Sequence, residues 1–116
     1  MRVQQRGQSL RLRIDEAELA RLLAGDTVEN ATRWPDGRVE RQQLALAGLP
    51  GWQRTEAGWR MRLPADAVRV LAARLPSRDG LSFDVPVAAD GSMQVVFDVD
   101  VRDSARRLRT GKEGSA

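Results

Sequence analysis

The sequence predicts an α+β fold made of two copies of a β-β-α-β-β unit, residues 1–47 and 50–101, in an antiparallel sheet curved or closed into a barrel-like form with two helices. The 116 residues suit one domain with one core. When the sequence is shifted by 49 positions and compared with itself, apolar residues coincide with apolar residues in the same order. Each half also ends in a predicted hairpin with an Asp-Gly pair between its two strand-like segments, and Asp-Gly suits the positive φ angles of hairpin turns.

The internal match is clearest in the second strand and the helix of each half. A shift of 49 positions places Arg11–Ile14 over Arg60–Leu63 and the apolar helix positions of the first half over those of the second. After the helices the shift becomes 54, where Asp36-Gly37 coincides with Asp90-Gly91. Because order, turn chemistry and apolar phase agree, the match predicts an internal duplication rather than a chance similarity.

The first half carries signals for two hairpins and one helix. Its strands are expected at Val3–Arg6, Leu10–Ile14, Thr27–Trp34 and Arg38–Leu46. Gly7-Gln8 supplies the turn of the opening hairpin. A helix is predicted over Asp15–Ala24, because Asp15 and Glu18 form a capping-box pattern and Gly25 gives a C-terminal stop.

The second half repeats this order. Its strands are expected at Trp52–Thr55, Trp59–Leu63, Leu81–Val87 and Met93–Val101. Its helix is predicted from Pro64, which has no N–H to lose at a first helical position, to Arg74. Closing the eight strands into a barrel removes the exposed edges that invite aggregation, which favours the barrel-like form over an open, curved sheet.

The excess of positive charge lies in the last fifteen residues. Residues 102–116 hold five basic and two acidic side chains, which leaves 14 of each in residues 1–101. We expect a neutral body with a basic, partly disordered tail. The tail either keeps the chain soluble or contacts nucleic acid without sequence preference through Arg106, Arg107 and Arg109.

Several reaction classes are disfavoured by composition. The chain has no His, Cys or Tyr, which removes imidazole bases, thiolates and the usual zinc ligands, and it has no Gly-rich nucleotide cradle. We expect no cofactor. No apolar run approaches the roughly 18 residues of a membrane span, and the first six residues lack the apolar segment of a secretory signal, so we expect a cytoplasmic protein that does not bind membranes.

Carboxylates are the main groups left for catalysis. Asp98 and Asp100 share one face of the last strand, and Asp84 lies on the strand before it, a pattern that suits one hard cation such as Mg²⁺. The other interpretation is that alternating aspartates face water or an arginine across the strand. The metal interpretation leads to an alternative function, a metal-dependent phosphohydrolase acting on a phosphorylated or triphosphate substrate.

Two arginine pairs occupy matching positions of the two halves. They are Arg11 and Arg13 on one strand and Arg60 and Arg62 on the other. If those strands are neighbours, four guanidinium groups share a surface that suits phosphate or carboxylate. The competing interpretation is a solvated sheet face on which these arginines pair with Glu29, Glu40, Asp98 or Asp100. We therefore expect a non-catalytic binding or interaction module, with an anionic ligand, a protein partner or a second copy of the chain as partner.

Trp34, Trp52 and Trp59 are either core residues or stacking platforms for bases.

The opening residues Met1–Ile14, followed by Asp15-Glu16-Ala17-Glu18-Leu19, resemble the start of a family of short, uncharacterised bacterial proteins. Members open with a basic strand, a Gly-containing turn, an Arg-Leu-Arg strand and a helix. This resemblance implies a bacterial origin and no assigned activity.

A duplicated antiparallel unit with arginines lining a possible barrel also resembles the triphosphate-tunnel enzymes of adenylate cyclase and thiamine-triphosphatase type. That family carries Glu-x-Glu-x-Lys on its first strand, where the carboxylates hold the metal. The first strand here reads Val3-Gln4-Gln5-Arg6 and has no acid. This departure argues against the same chemistry.

Overall fold

The computed structural model describes residues 1–77 and 79–101, which form eight strands and two helices. The strands are β1 (Arg2–Arg6), β2 (Ser9–Asp15), β3 (Val28–Arg33), β4 (Val39–Ala47), β5 (Gly51–Arg54), β6 (Gly58–Pro64), β7 (Leu81–Pro86) and β8 (Ser92–Asp100). The helices are α1 (Glu16–Leu23) and α2 (Ala65–Ala73), and neither is long and apolar enough to cross a membrane. Every expected element is present with ends within one residue of the prediction. The tail at 102–116, with Arg106, Arg107 and Arg109, lies outside the described residues.

The strands divide into two four-stranded sheets. Sheet A has the order β1-β2-β8-β7, and sheet B has the order β3-β4-β6-β5. All four predicted hairpins pair antiparallel, but the central pairs β2–β8 and β4–β6 are parallel. The expectation of one antiparallel sheet is therefore wrong, and the described strands form no closed barrel.

The reason for this difference lies in how the hairpins combine. Hairpin signals are local, because turn chemistry and alternation fix only strands that are neighbours in sequence. The helix of each half instead carries the chain from one sheet to the other. The opening hairpin of each half consequently pairs with the closing hairpin of the other half, and the direction of the chain makes the two central pairs parallel.

The core lies between the two sheets. Alternate residues of the central strands turn inward, including Leu12 of β2, Met61 of β6 and Phe97 of β8, and each of these is fully buried. Both helices add apolar side chains to the same cluster. Since inward positions alternate with outward ones, the arginines of β2 and β6 lie on the outer faces of the sheets.

α1 begins and ends with the groups that the sequence predicts. Asp15 Oδ1 accepts a hydrogen bond of 2.7 Å from the backbone N–H of Glu18, and Glu18 Oε1 accepts one of 3.1 Å from the backbone N–H of Asp15. At the other end Gly25 adopts a φ of 98°. The backbone N–H groups of Gly25 and Asp26 then donate to the carbonyls of Leu22 and Arg21, which completes a Schellman motif.

Replacing Asp15 with alanine is expected to lower the free energy of unfolding by about 1 kcal/mol, because the N–H of Glu18 loses its acceptor. Urea denaturation with an unchanged m-value measures this loss. Asp26→Ala is the matched control, because the Asp26 carboxylate is exposed and its backbone bond survives the change. Equal losses in both variants would show that the cap contributes nothing.

Candidate functional site

The predicted arginines lie on two separate surfaces. Arg11 and Arg13 lie on the outer face of sheet A, and Arg60 and Arg62 lie on the outer face of sheet B. β2 and β6 belong to different sheets whose inner faces enclose the core between them. The structure therefore does not bring the four guanidinium groups together.

A third arginine joins the pair on sheet A. Arg2 of β1 lies directly opposite Arg13, and Gln4 lies directly opposite Arg11. These four side chains line a small pocket of about 170 Å³. Arg2 was not singled out from the sequence, although the two-residue Gly7-Gln8 turn fixes the register that places it there.

One carboxylate lies among these arginines. The Nε of Arg13 donates to Oδ1 of Asp98 over 2.8 Å, and the Nε of Arg11 donates to Oδ2 over 3.2 Å. The Asp98 side chain is only 12% exposed, whereas those of Arg11 and Arg13 are 53% and 41% exposed. Among the described residues, the wall of the pocket itself carries three guanidinium groups and no carboxylate.

The matching surface of sheet B is built differently. Arg62 takes the place of Arg13 on this sheet. The residue opposite Arg62 on the edge strand is Gly51, whereas the residue opposite Arg13 is Arg2. The residue beside Arg62 on the central strand is Ala45, whereas the residue beside Arg13 is Asp98. Sheet B thus lacks both the third arginine and the carboxylate. Arg60 and Arg62 donate instead to neutral side-chain oxygens, those of Gln43 over 3.2 Å and Gln53 over 3.0 Å.

The predicted ion-pair partners are divided between the sheets. Asp98 binds Arg11 and Arg13, as the competing interpretation expects. Glu29 binds Arg41 over 2.9 Å rather than either predicted arginine of sheet B.

The aspartates proposed as metal ligands do not assemble. Within residues 1–77 and 79–101, no group of three or more acidic side chains is placed to hold a metal ion. Both carboxylate oxygens of Asp98 accept from arginines, and Asp84 lies opposite Gln94 on the outer face. This arrangement matches the interpretation in which alternating aspartates face arginine or water.

A larger cleft opens between the two sheets. Helices α1 and α2 directly follow β2 and β6 in the chain, at the ends of these strands. Where the same two strands begin, the space between the sheets stays open over about 510 Å³. Its apolar wall includes Leu10, Trp52, Trp59, Met61, Val85 and Met93. This volume lies within the range of about 300 to 1,000 Å³ that is usual for small-molecule sites.

The three tryptophans have three different environments. Trp59 is 5% exposed and belongs to the core. Trp52 is 37% exposed, lines the cleft and carries the Arg54 guanidinium 5.0 Å from its ring centre. Trp34 is half exposed and lies beside the β3–β4 turn, outside the cleft. Sequence reasoning could not separate these roles, because the cleft exists only once the sheets face each other.

Comparison with known protein families and with curated proteins finds no match for this chain. The resemblance to a family of short bacterial proteins therefore stays a prediction.

Proposed function

We propose that this protein is a non-catalytic binding module that holds a small oxyanion of the phosphate type on the outer face of sheet A. The ligand would contact Arg2, Arg11, Arg13 and Gln4. The observation that carries this proposal is the pocket of about 170 Å³ that is lined by these three guanidinium groups and one amide, with the Asp98 carboxylate bound to two of the arginines.

The arrangement of charge supports an anion as the ligand. Arg2 and Arg13 are directly opposite on paired strands, where like charges destabilise a sheet. Asp98 offsets part of this repulsion, and its hydrogen bond with Arg11 uses the Nε atom rather than an Nη donor. A guanidinium offers several N–H donors in a planar fork, which suits two oxygens of one phosphate group.

Tripolyphosphate is a suitable probe because it presents many oxyanion groups. Isothermal titration at low salt is expected to show binding that Arg2→Gln weakens about tenfold, the lower end of the range for one hydrogen bond to a charged group. Arg2 makes no ion pair with a described residue, so its removal leaves the Asp98 cluster intact. Arg60→Gln on sheet B is the matched control and should leave the affinity unchanged.

Asp98→Asn gives the opposite expectation in the same titration. Removing the carboxylate should tighten tripolyphosphate binding severalfold, because the ligand no longer competes with Asp98 for Arg11 and Arg13. Equal weakening by Arg2→Gln and Arg60→Gln would refute the site, because it would show that tripolyphosphate responds only to total charge. Weaker binding by Asp98→Asn would also refute it, because the ligand would then not compete with Asp98 for Arg11 and Arg13.

We further propose that the two halves arose by duplication. β2 and β6, at 9–15 and 58–64, lie 49 positions apart, and β4 and β8, at 39–47 and 92–100, lie 53 apart. The strands thus follow a shift of 53 rather than the 54 that the Asp-Gly pairs suggest. The β7–β8 turn has positive φ angles at Ala89 and Gly91, whereas the β3–β4 turn has one at Gly37 alone. On this proposal, only the sheet A copy has the third arginine.

A further inference from the structure

The cleft between the sheets holds two charged side chains, Arg54 and Glu40, that form no ion pair with a described residue. Arg54 is held over the ring of Trp52, and the described part of the chain offers it no acidic partner. The carboxylate of Glu40 is half-buried and makes neither a hydrogen bond nor an ion pair with a described residue. Charged groups on the wall of a mostly apolar cleft attract a ligand group of opposite charge.

The positions of these two charges are set by the register of sheet B. Trp59 of β6 pairs with Arg54 of β5 on one side and with Gln42 of β4 on the other. Glu40 lies two residues before Gln42 and so points to the same inner face. Arg54 and Glu40 therefore lie on either side of the strand that carries Trp59, and they do not form an ion pair with each other.

The remaining wall is mostly apolar, with Gln5 and Ser9 as its polar side chains. Trp52 and Trp59 provide aromatic faces, while Met61 and Met93 provide thioether groups that adapt to different shapes. Trp52 stays partly exposed here, which leaves part of its ring open for contact with a ligand.

We infer that the cleft binds a small zwitterion with an aromatic or apolar body, an amino-acid-like ligand. Its anionic group would bind Arg54, its cationic group would bind Glu40, and its body would pack on Trp52 and Trp59. This site lies on the inner faces of the sheets, so the inference does not depend on the oxyanion pocket outside sheet A.

Three matched probes separate the two charges from the apolar body. L-tryptophan carries both charges, indole-3-propionate carries only the negative one, and tryptamine carries only the positive one. Isothermal titration of the intact chain is expected to show L-tryptophan as the tightest of the three. Arg54→Gln should weaken L-tryptophan and indole-3-propionate about tenfold and leave tryptamine unchanged or tighter.

Glu40→Gln should give the reverse pattern, weakening L-tryptophan and tryptamine but not indole-3-propionate. Trp52→Leu should weaken all three probes, because it removes the shared aromatic contact. Arg60→Gln, on the outer face of β6, is the control for general charge and should change none of them. Far-ultraviolet circular dichroism and urea denaturation confirm that each variant is folded.

The inference is overturned if the intact chain does not bind L-tryptophan, or if both charge variants weaken the three probes equally. Titration of the Glu40→Gln and Arg54→Gln variants with tripolyphosphate keeps the two sites distinct. Unchanged tripolyphosphate binding in these variants, together with lost selectivity among the indole probes, assigns the effect to the cleft.

Discussion

Gly58→Ala is expected to prevent folding or to lower the free energy of unfolding by about 3 kcal/mol or more, an effect usual only for a severe steric or packing defect. A Cβ atom at Gly58 would lie 2.0 Å from the carbonyl oxygen of Arg41 and 2.8 Å from its carbonyl carbon. Both atoms belong to the main chain, so no side-chain rotation relieves the overlap.

The β4 backbone is also held in place beside Gly58. The N–H of Arg41 donates to the carbonyl of Ala57 over 2.9 Å, and Arg41 is the register partner of Gly58 in the parallel β4–β6 pair. Moving the two strands apart would break this contact at the point where their pairing begins. Glycine is found in strands where two backbones approach closely, which is the situation here.

Urea denaturation followed by tryptophan fluorescence measures the effect of Gly58→Ala. Gly48→Ala is the matched control, because a Cβ atom there meets nothing within 4 Å and the residue lies in an exposed loop. The control should be as stable as the original chain. If the two alanine variants unfold at the same urea concentration, the close approach of β4 and β6 is wrong.

The secondary structure was predictable because its signals are local. The capping box of Asp15 and Glu18, the stop at Gly25 and the turn at Gly7 each act within a few residues of the chain. The alternation around Phe97 and Asp98 likewise places one side chain inside and the other outside. Asp98 is nevertheless nearly as buried as the core, because two arginines cover it.

The pairing of hairpins was not predictable from such signals. Nothing near Leu12 in the sequence indicates that its neighbour in the sheet is Phe97 rather than a residue of β6. The consequence for the site is large, because that choice separates Arg11 from Arg60 and creates the cleft between the sheets. The contribution of Arg2, in contrast, follows from hairpin register alone.

Phe97→Ala is expected to lower the free energy of unfolding by about 3 to 5 kcal/mol, the usual loss for a fully buried phenylalanine. Phe97 is among the largest fully buried side chains, and its exposed fraction is zero. It pairs with Leu12 on one side and with Leu81 on the other. A small domain is stable by about 5 to 15 kcal/mol, so this one change removes a large part of the total.

Val96→Ala is the control that separates the effect of burial on the inner face from the effect of any truncation on β8. Val96 is the neighbour of Phe97 on β8, faces outward and is only half-buried, so its truncation should cost about 1 kcal/mol or less. Both variants are measured by urea denaturation with the m-value compared. A loss no greater than that of Val96→Ala would contradict the burial of Phe97 between the two sheets. It would also contradict the alternation along β8 that turns Phe97 inward and places Asp98 on the outer face beside Arg13.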